Sequence, residues 1–114
     1  MKKGKSRPRE AFSPAARAVL AALAVAVLAL ALYAPAVHHP FLDLDDDKYV
    51  TDNPLMRDPS WSAAARTAFA RQDYCYWHPL TVLSLYMDSR VFGLDPAGFH
   101  GVNMTLHAAN AALL

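Results

Sequence analysis

The sequence predicts an all-α membrane protein: a first transmembrane helix, an extracytoplasmic loop with short surface helices, and the start of a second transmembrane helix. Three observations carry this prediction. Ala18 to Val37 is a run of twenty residues without a charged side chain, which at about 1.5 Å per residue spans roughly 30 Å, the thickness of a bilayer core. Charge is distributed unevenly around that run: residues 1–17 carry six Lys or Arg and one Glu, whereas residues 38–96 carry nine Asp and five Lys or Arg. From Pro96 to Leu114 no Asp, Glu, Lys or Arg appears, as at the entry to a second membrane helix.

The first segment, residues 1–17, is a basic cytoplasmic tail. Lys2, Lys3, Lys5, Arg7 and Arg9 stand among Gly4, Pro8, Pro14 and two serines, a composition that cannot bury enough apolar surface to fold alone. Such a tail in isolation suits nucleic acid. Abutting a hydrophobic run it reads instead as a topology signal, so no nucleic-acid partner is expected. By the positive-inside rule the N-terminus lies in the cytoplasm and everything after the transmembrane helix at residues 18–37 emerges on the far side. Tyr33, His38 and His39 stand where interfacial side chains belong. A cleaved signal peptide is the competing reading, since Ala34-Pro35-Ala36 resembles a small-x-small cleavage site, but the apolar core exceeds the roughly 7–15 residues usual for signal peptides. With the single cysteine Cys75 the chain has no internal disulfide, and the thiol reads as a small packed residue.

Residues 38–95 form the extracytoplasmic loop. Asp43 to Pro59 holds an acidic cluster, two prolines and Asn53, turn chemistry that favours an ordered loop over a helix. Asp58-Pro59-Ser60 is a helix start, after which Trp61, Ala64, Ala65, Ala68 and Phe69 recur at helical spacing and Arg66 and Arg71 lie off the stripe. That helix either lies in the headgroup region with Trp61 and Phe69 dipped into it, or packs on a soluble lid. After an aromatic stretch, Gln72 to Trp77, Pro79 opens a helix with Leu80, Leu83, Tyr86 and Met87 on one face. Gly93 is placed to stop it. Asp95-Pro96 starts the last helix, residues 96–114, and because the chain ends inside the apolar run Ala108 to Leu114 the expectation is a piece of a longer protein.

Two constellations carry candidate chemistry. In the last helix His100, Asn103, His107 and Asn110 are spaced three, four and three apart, so they share one face. Polar groups in hydrocarbon face a bundle interior or a watered cavity. The stripe either lines a site for a polar substrate or phosphate headgroup, or is interhelical hydrogen-bond glue. His100 and His107 are about two turns apart and cannot share one metal ion without a bend, so no metal site is assigned there. The second constellation is Asp45, Asp46 and Asp47, just past the membrane helix and trailed by Tyr49 and Asn53-Pro54. Three roles fit: oxygen ligands for a divalent cation, a general base for a hydroxyl nucleophile, or a solvated acidic loop. No internal repeat, glycine-rich phosphate loop, CxxC pair or nucleophile elbow is present, and the reaction classes those motifs serve receive no support.

Three motifs taken together, FLDLDDDKYVTDNP from Phe41 to Pro54, WHPLTVLSLYMD from Trp77 to Asp88 and VFGLDPAGFHGVNMTLHAANAALL from Val91 to Leu114, resemble the start of bacterial membrane proteins with a GT-C type glycosyltransferase region followed by tetratricopeptide repeats. These are related to the eukaryotic transmembrane and tetratricopeptide-repeat O-mannosyltransferases. The resemblance covers nearly everything after about residue 18. It implies a multi-pass inner-membrane enzyme that transfers a sugar from a polyprenyl-phosphate donor to a hydroxyl acceptor, on a protein or glycan, on the non-cytoplasmic, periplasmic side. It also implies an acidic pair in the first outer loop that orients or deprotonates the acceptor. The pair falls among Asp45, Asp46 and Asp47, where an extra acidic residue leaves two registers. Asp46 belongs to both. His78 and His100 stand in matching motifs and rank first, with Asn103 and His107, as substrate-binding residues. Metal dependence differs among branches of that class, so no cofactor is assigned. The alternative function is a non-catalytic membrane anchor for a downstream repeat domain that binds protein, and on either reading these 114 residues alone are expected to be inactive.

Overall fold

In the computed structural model the described residues are 12–70 and 77–114; most of the basic tail, Arg71, Cys75 and the aromatic residues Tyr74 and Tyr76 lie outside them. The described residues form helices and irregular turns with no strand among them. Helix α1 is Pro14–Tyr33. It begins four residues before the charge-free run because Ser13 caps it, the hydroxyl accepting from the Ala16 N–H at 3.2 Å, and Pro14 occupies a first-turn position where no N–H is needed. Arg17 is therefore inside the first turn. Pro35 ends the regular helix, and the chain tightens into a 3-10 turn, Ala34–His38. Helix and turn together are long and apolar enough to cross a membrane. No residue of α1 is buried within the protein.

The outer segment folds through local caps. A single π-helical turn, Asp47–Thr51, is followed by a 3-10 turn, Pro54–Arg57. Helix α2, Trp61–Ala70, starts as the sequence suggests: the Asp58 carboxylate accepts from the Ser60 N–H at 2.8 Å and the Ser60 hydroxyl from the Ala63 N–H at 3.2 Å. Helix α3, Pro79–Phe92, ends at Gly93, whose φ of 67° is readily adopted only by glycine. Helix α4, Pro96–Leu113, is capped by the Asp95 carboxylate, which accepts from the Ala97 N–H at 3.1 Å.

A small core joins these pieces. Leu55, Met56, Ala64 and Tyr86 are buried together, with Val82, Leu83, Leu85 and Leu94 packed around them. Tyr86 is fully enclosed. Its hydroxyl donates to the Asp58 carbonyl at 2.8 Å and its ring meets Trp61 edge-on at 4.8 Å. The periodicity of α3 grouped Leu80, Leu83, Tyr86 and Met87 on one face, but Leu80 and Met87 stay 75% and 49% exposed while Tyr86, Asp88 and Ser89 are buried. The buried face is rotated toward Asp88 and Ser89, because α3 packs against α2, both short turns and α4 rather than against one flat surface.

Helices α1 and α4 pack side by side and antiparallel. Tyr33 near the end of α1 touches His107, while Ala18, Ala21 and Ala22 near its start face Ala111 and Ala112. Small side chains line both sides of the cleft between the helices there. On another face of α4, a Cβ on Gly98 would fall within the volume of the Phe92 ring, so glycine there is what lets α3 fold back onto α4. With its five polar side chains α4 is less apolar than α1, and among the described residues α1 is the helix that meets the length and composition of a membrane span.

Candidate functional site

The acidic loop is organised by its own backbone. Asp46, half-buried, lies just before the π-helical turn, and its Oδ2 accepts from the Leu42 N–H at 2.9 Å. Its other oxygen takes no hydrogen bond from a described residue. Asp47 is also half-buried, with Oδ1 accepting from the neighbouring Lys48 N–H at 2.8 Å and its carbonyl accepting from the Asp52 N–H at 2.8 Å. Asp45 is exposed, and its carbonyl accepts from the Tyr49 N–H at 3.0 Å. Asn53 holds the far end of the turn: its Nδ2 donates to the Tyr49 carbonyl at 3.2 Å while its Oδ1 accepts from the Leu55 N–H at 3.1 Å. The side chain is buried, 4% exposed, so water does not substitute for these bonds. Tyr49 in turn faces the His78 ring at 5.3 Å, which brings the histidine of the second motif against the acidic turn.

The polar stripe of α4 lies beside the end of α1. His100, Asn103 and His107 line a cavity of about 260 Å³ together with Tyr33, Ala36 and Met104. The His107 ring meets Tyr33 edge-on at 5.0 Å. His100 differs from the other members of the stripe: its Nε2 is buried and has no hydrogen-bond partner among the described residues. Asn110, the fourth member, is exposed and does not line the cavity. The cavity and the acidic loop meet at Phe41, whose ring packs on Phe99 at 5.4 Å and faces His100 at 6.2 Å. The next residue is Leu42, the donor to Asp46, so the root of the acidic loop sits against the histidine of the cavity.

Three of the predicted substrate-binding residues, His100, Asn103 and His107, therefore share one cavity. The fourth, His78, stands at the head of α3 against the acidic turn through Tyr49, with Asp47 on that turn, Asp46 just before it and Asp45 exposed. Among the described residues no group of three or more His, Cys, Asp or Glu side chains is arranged to hold a metal ion.

Tyr33, Met104 and Phe41 join the site without having been singled out for it. The only signal for Tyr33 was its place at the end of α1, which becomes informative once α1 and α4 are paired antiparallel. A further carboxylate, Asp88, is 4% exposed on α3, and desolvation pushes its carboxyl above the usual carboxylate range. It lines none of the cavity just described. Searches against protein-family models, curated proteins and solved structures gave no match.

Proposed function

We propose that this chain is the N-terminal part of an integral inner-membrane glycosyltransferase of GT-C type, which moves a sugar from a polyprenyl-phosphate donor to a hydroxyl acceptor on the non-cytoplasmic side. The observation that carries the reading is the cavity at the junction of α1 and α4, with the unpaired Nε2 of His100 beside it and the acidic loop rooted at its edge. Buried polar atoms in proteins almost always have a partner, and an imidazole nitrogen left without one beside a cavity is suited to a ligand oxygen. The motif resemblance supplies the identity of that ligand. In this reading α1 and α4 are the first two membrane spans, and His100, Asn103 and His107 hydrogen-bond the phosphate headgroup at the membrane boundary.

The chemistry is a displacement at the anomeric carbon. Asp46 takes the proton of the acceptor hydroxyl as the new carbon–oxygen bond forms, the bond from the sugar to phosphate breaks, and polyprenyl phosphate leaves with the bonding electron pair. A carboxylate in this role must reach the acceptor proton directly or through one water, and Asp46 has the oxygen not engaged by Leu42 to do so. His78 then orients the acceptor beside Tyr49. Transfer from a lipid-linked sugar by the full-length protein, measured for the parent, Asp46→Asn and His100→Ala, tests both roles. Loss of turnover in Asp46→Asn and weakened donor binding in His100→Ala are expected; unchanged transfer in either removes that residue's role.

One observation favours a second reading, a non-catalytic membrane anchor for a protein-binding repeat domain. Both Asp46 and Asp47 spend a carboxylate oxygen on backbone N–H groups of their own loop, which is what a purely structural acidic turn does. If full-length protein without transfer activity still assembled its partners after neutralisation of Asp45, Asp46 and Asp47 together, that reading would replace the first.

A further inference from the structure

The cleft between the end of α2 and the head of α3 has a construction of its own. Phe69, Trp77, His78, Pro79, Leu80 and Thr81 line a cavity of about 430 Å³, within the roughly 300–1,000 Å³ range of small-ligand pockets. Its aromatic walls are tied to each other: the Trp77 indole N–H donates to the Phe69 carbonyl at 3.2 Å and the two rings meet edge-on at 6.3 Å. Even so, Phe69, Trp77 and Leu80 are 54%, 59% and 75% exposed. Single exposed apolar side chains are ordinary, but three that share one concave surface, two of them fixed against each other, mark a place for a partner.

The lining selects among occupants. His78 and Thr81 carry its free polar groups, since the Trp77 N–H is engaged by Phe69. A sugar ring bears hydroxyls around its whole edge and would leave most of them without a partner in such a cleft. An aromatic or large aliphatic side chain leaves none. His78 is also the wall that the cleft shares with the acidic turn, because its ring faces Tyr49 at 5.3 Å. Residues 43–52 there hold five aspartates and one lysine. A ligand that extends from the cleft past His78 therefore meets a negative field, which attracts basic groups and repels an anionic lipid surface.

We propose that the Phe69–Trp77–Leu80 cleft takes an aromatic or large aliphatic side chain of an acceptor polypeptide, with the acceptor hydroxyl beside His78 and basic residues of that polypeptide along the acidic turn. This rests on the glycosyltransferase reading and narrows it. The acceptor is then a protein segment that combines apolar, hydroxyl and basic residues within a few positions of one another, and the cleft is what recognises it before Asp46 acts on the hydroxyl.

The test uses full-length protein in phosphatidylcholine nanodiscs and a synthetic peptide, Gly-Lys-Trp-Ser-Lys-Gly, with binding read by microscale thermophoresis. Replacing the peptide's tryptophan by alanine, or putting a charge in the cleft with Leu80→Glu, should each weaken binding about 10- to 100-fold. The two losses remove the same contact, so Leu80→Glu protein should distinguish the two peptides by less than about threefold. Leu80 stands at the surface, and an unchanged melting temperature checks that its replacement leaves the fold intact; the peptide variants need no change in the protein at all. Exchanging both peptide lysines for glutamate should remove binding. No saturable binding up to about 1 mM peptide, or binding indifferent to the tryptophan or to Leu80→Glu, overturns the proposal. A benzophenone introduced at the exposed Thr81 identifies the occupant: an adduct with the peptide is expected, and an adduct with lipid or with a second copy that the peptide does not displace overturns it. Turnover separates this from the reading it rests on. Peptide bound with these dependences but never glycosylated removes the transferase and leaves a peptide site, whereas glycosylation of the peptide that ignores Leu80→Glu removes the cleft and leaves the transferase.

Discussion

Replacing Asn53 by alanine separates the pin that shapes the acidic loop from everything else in the chain. The side chain makes two bonds, one capping the turn Pro54–Arg57 through the Leu55 N–H at 3.1 Å and one to the Tyr49 carbonyl at 3.2 Å. Loss of an N-cap costs about 1 kcal/mol. Loss of the second bond costs about another 1 kcal/mol, and somewhat more because both ends are shielded from water. The opening free energy of the loop should fall by about 2–3 kcal/mol, which at a factor of ten per 1.4 kcal/mol means amide exchange in residues 47–57 about 30- to 150-fold faster. Hydrogen exchange read by mass spectrometry in detergent or nanodiscs measures this directly. Asn53→Ser keeps the cap but cannot reach Tyr49, so its acceleration should be about tenfold or less. If exchange in Asn53→Ala stays within about threefold of the parent, well below the change the two lost bonds imply, then the loop is not held by Asn53. The inference that Asp46 is presented in a fixed geometry would then fail with it.

Substitutions at two buried residues of α3 probe its packing. Tyr86→Phe keeps the buried ring and removes only the hydroxyl bond to the Asp58 carbonyl, so it should lower thermal stability by about 1–2 kcal/mol, against about 3–5 kcal/mol for Tyr86→Ala; equal losses would mean the hydroxyl, not the packing, is what matters. Asp88→Asn should be more stable than the parent at neutral pH, because burial raises the Asp88 pKa in the folded state and its ionised form is the disfavoured one. The contribution of Asp88 is fully present below the unfolded carboxylate pKa and is lost as pH rises through the folded value. The melting-temperature gap between Asp88→Asn and parent should therefore be near zero in acid, open with rising pH and then level off; a gap that is flat across pH rejects the burial account.

The helix boundaries were legible because they are written in local chemistry. Asp58-Pro59-Ser60 before α2, Pro79 and Gly93 around α3, and Asp95-Pro96 before α4 each act through bonds within three or four residues, which a linear reading can see. Helix α1 reaches four residues further toward the N-terminus than the charge-free run, because absence of charge marks only the apolar span, whereas the Ser13 hydroxyl and Pro14 set the helix start and carry Arg17 into the first turn. What the sequence left open was rotation. The buried face of α3 depends on which partners reach it, and four separate elements do. Periodicity grouped Leu80 with Tyr86, whereas packing separated them. The same holds for the site. Spacing alone put His100, Asn103, His107 and Asn110 on one face, but only the antiparallel neighbour shows that Tyr33 closes the cavity opposite the first three and that Asn110 stands outside it.

That rotation also bears on what the polar stripe is for. If it were hydrogen-bond glue between two helices, its most deeply placed donor should be the best satisfied, since an unpaired buried polar group costs about 1–3 kcal/mol and helix pairing is the event that would relieve it. The opposite pattern holds. His107 rests on the Tyr33 ring and Asn103 is exposed, while His100, the member with the buried nitrogen, has no partner across the interface. The facing residues of α1 and its closing turn, Ala36 among them, are mostly too small or too apolar to provide one. A stripe selected for pairing α1 with α4 would place a polar side chain opposite His100; a stripe selected to hold an external oxygen would leave that position open beside a cavity, with the root of the acidic loop against it. The arrangement around His100, Phe41 and Asp46 is the one the proposed donor-binding role requires.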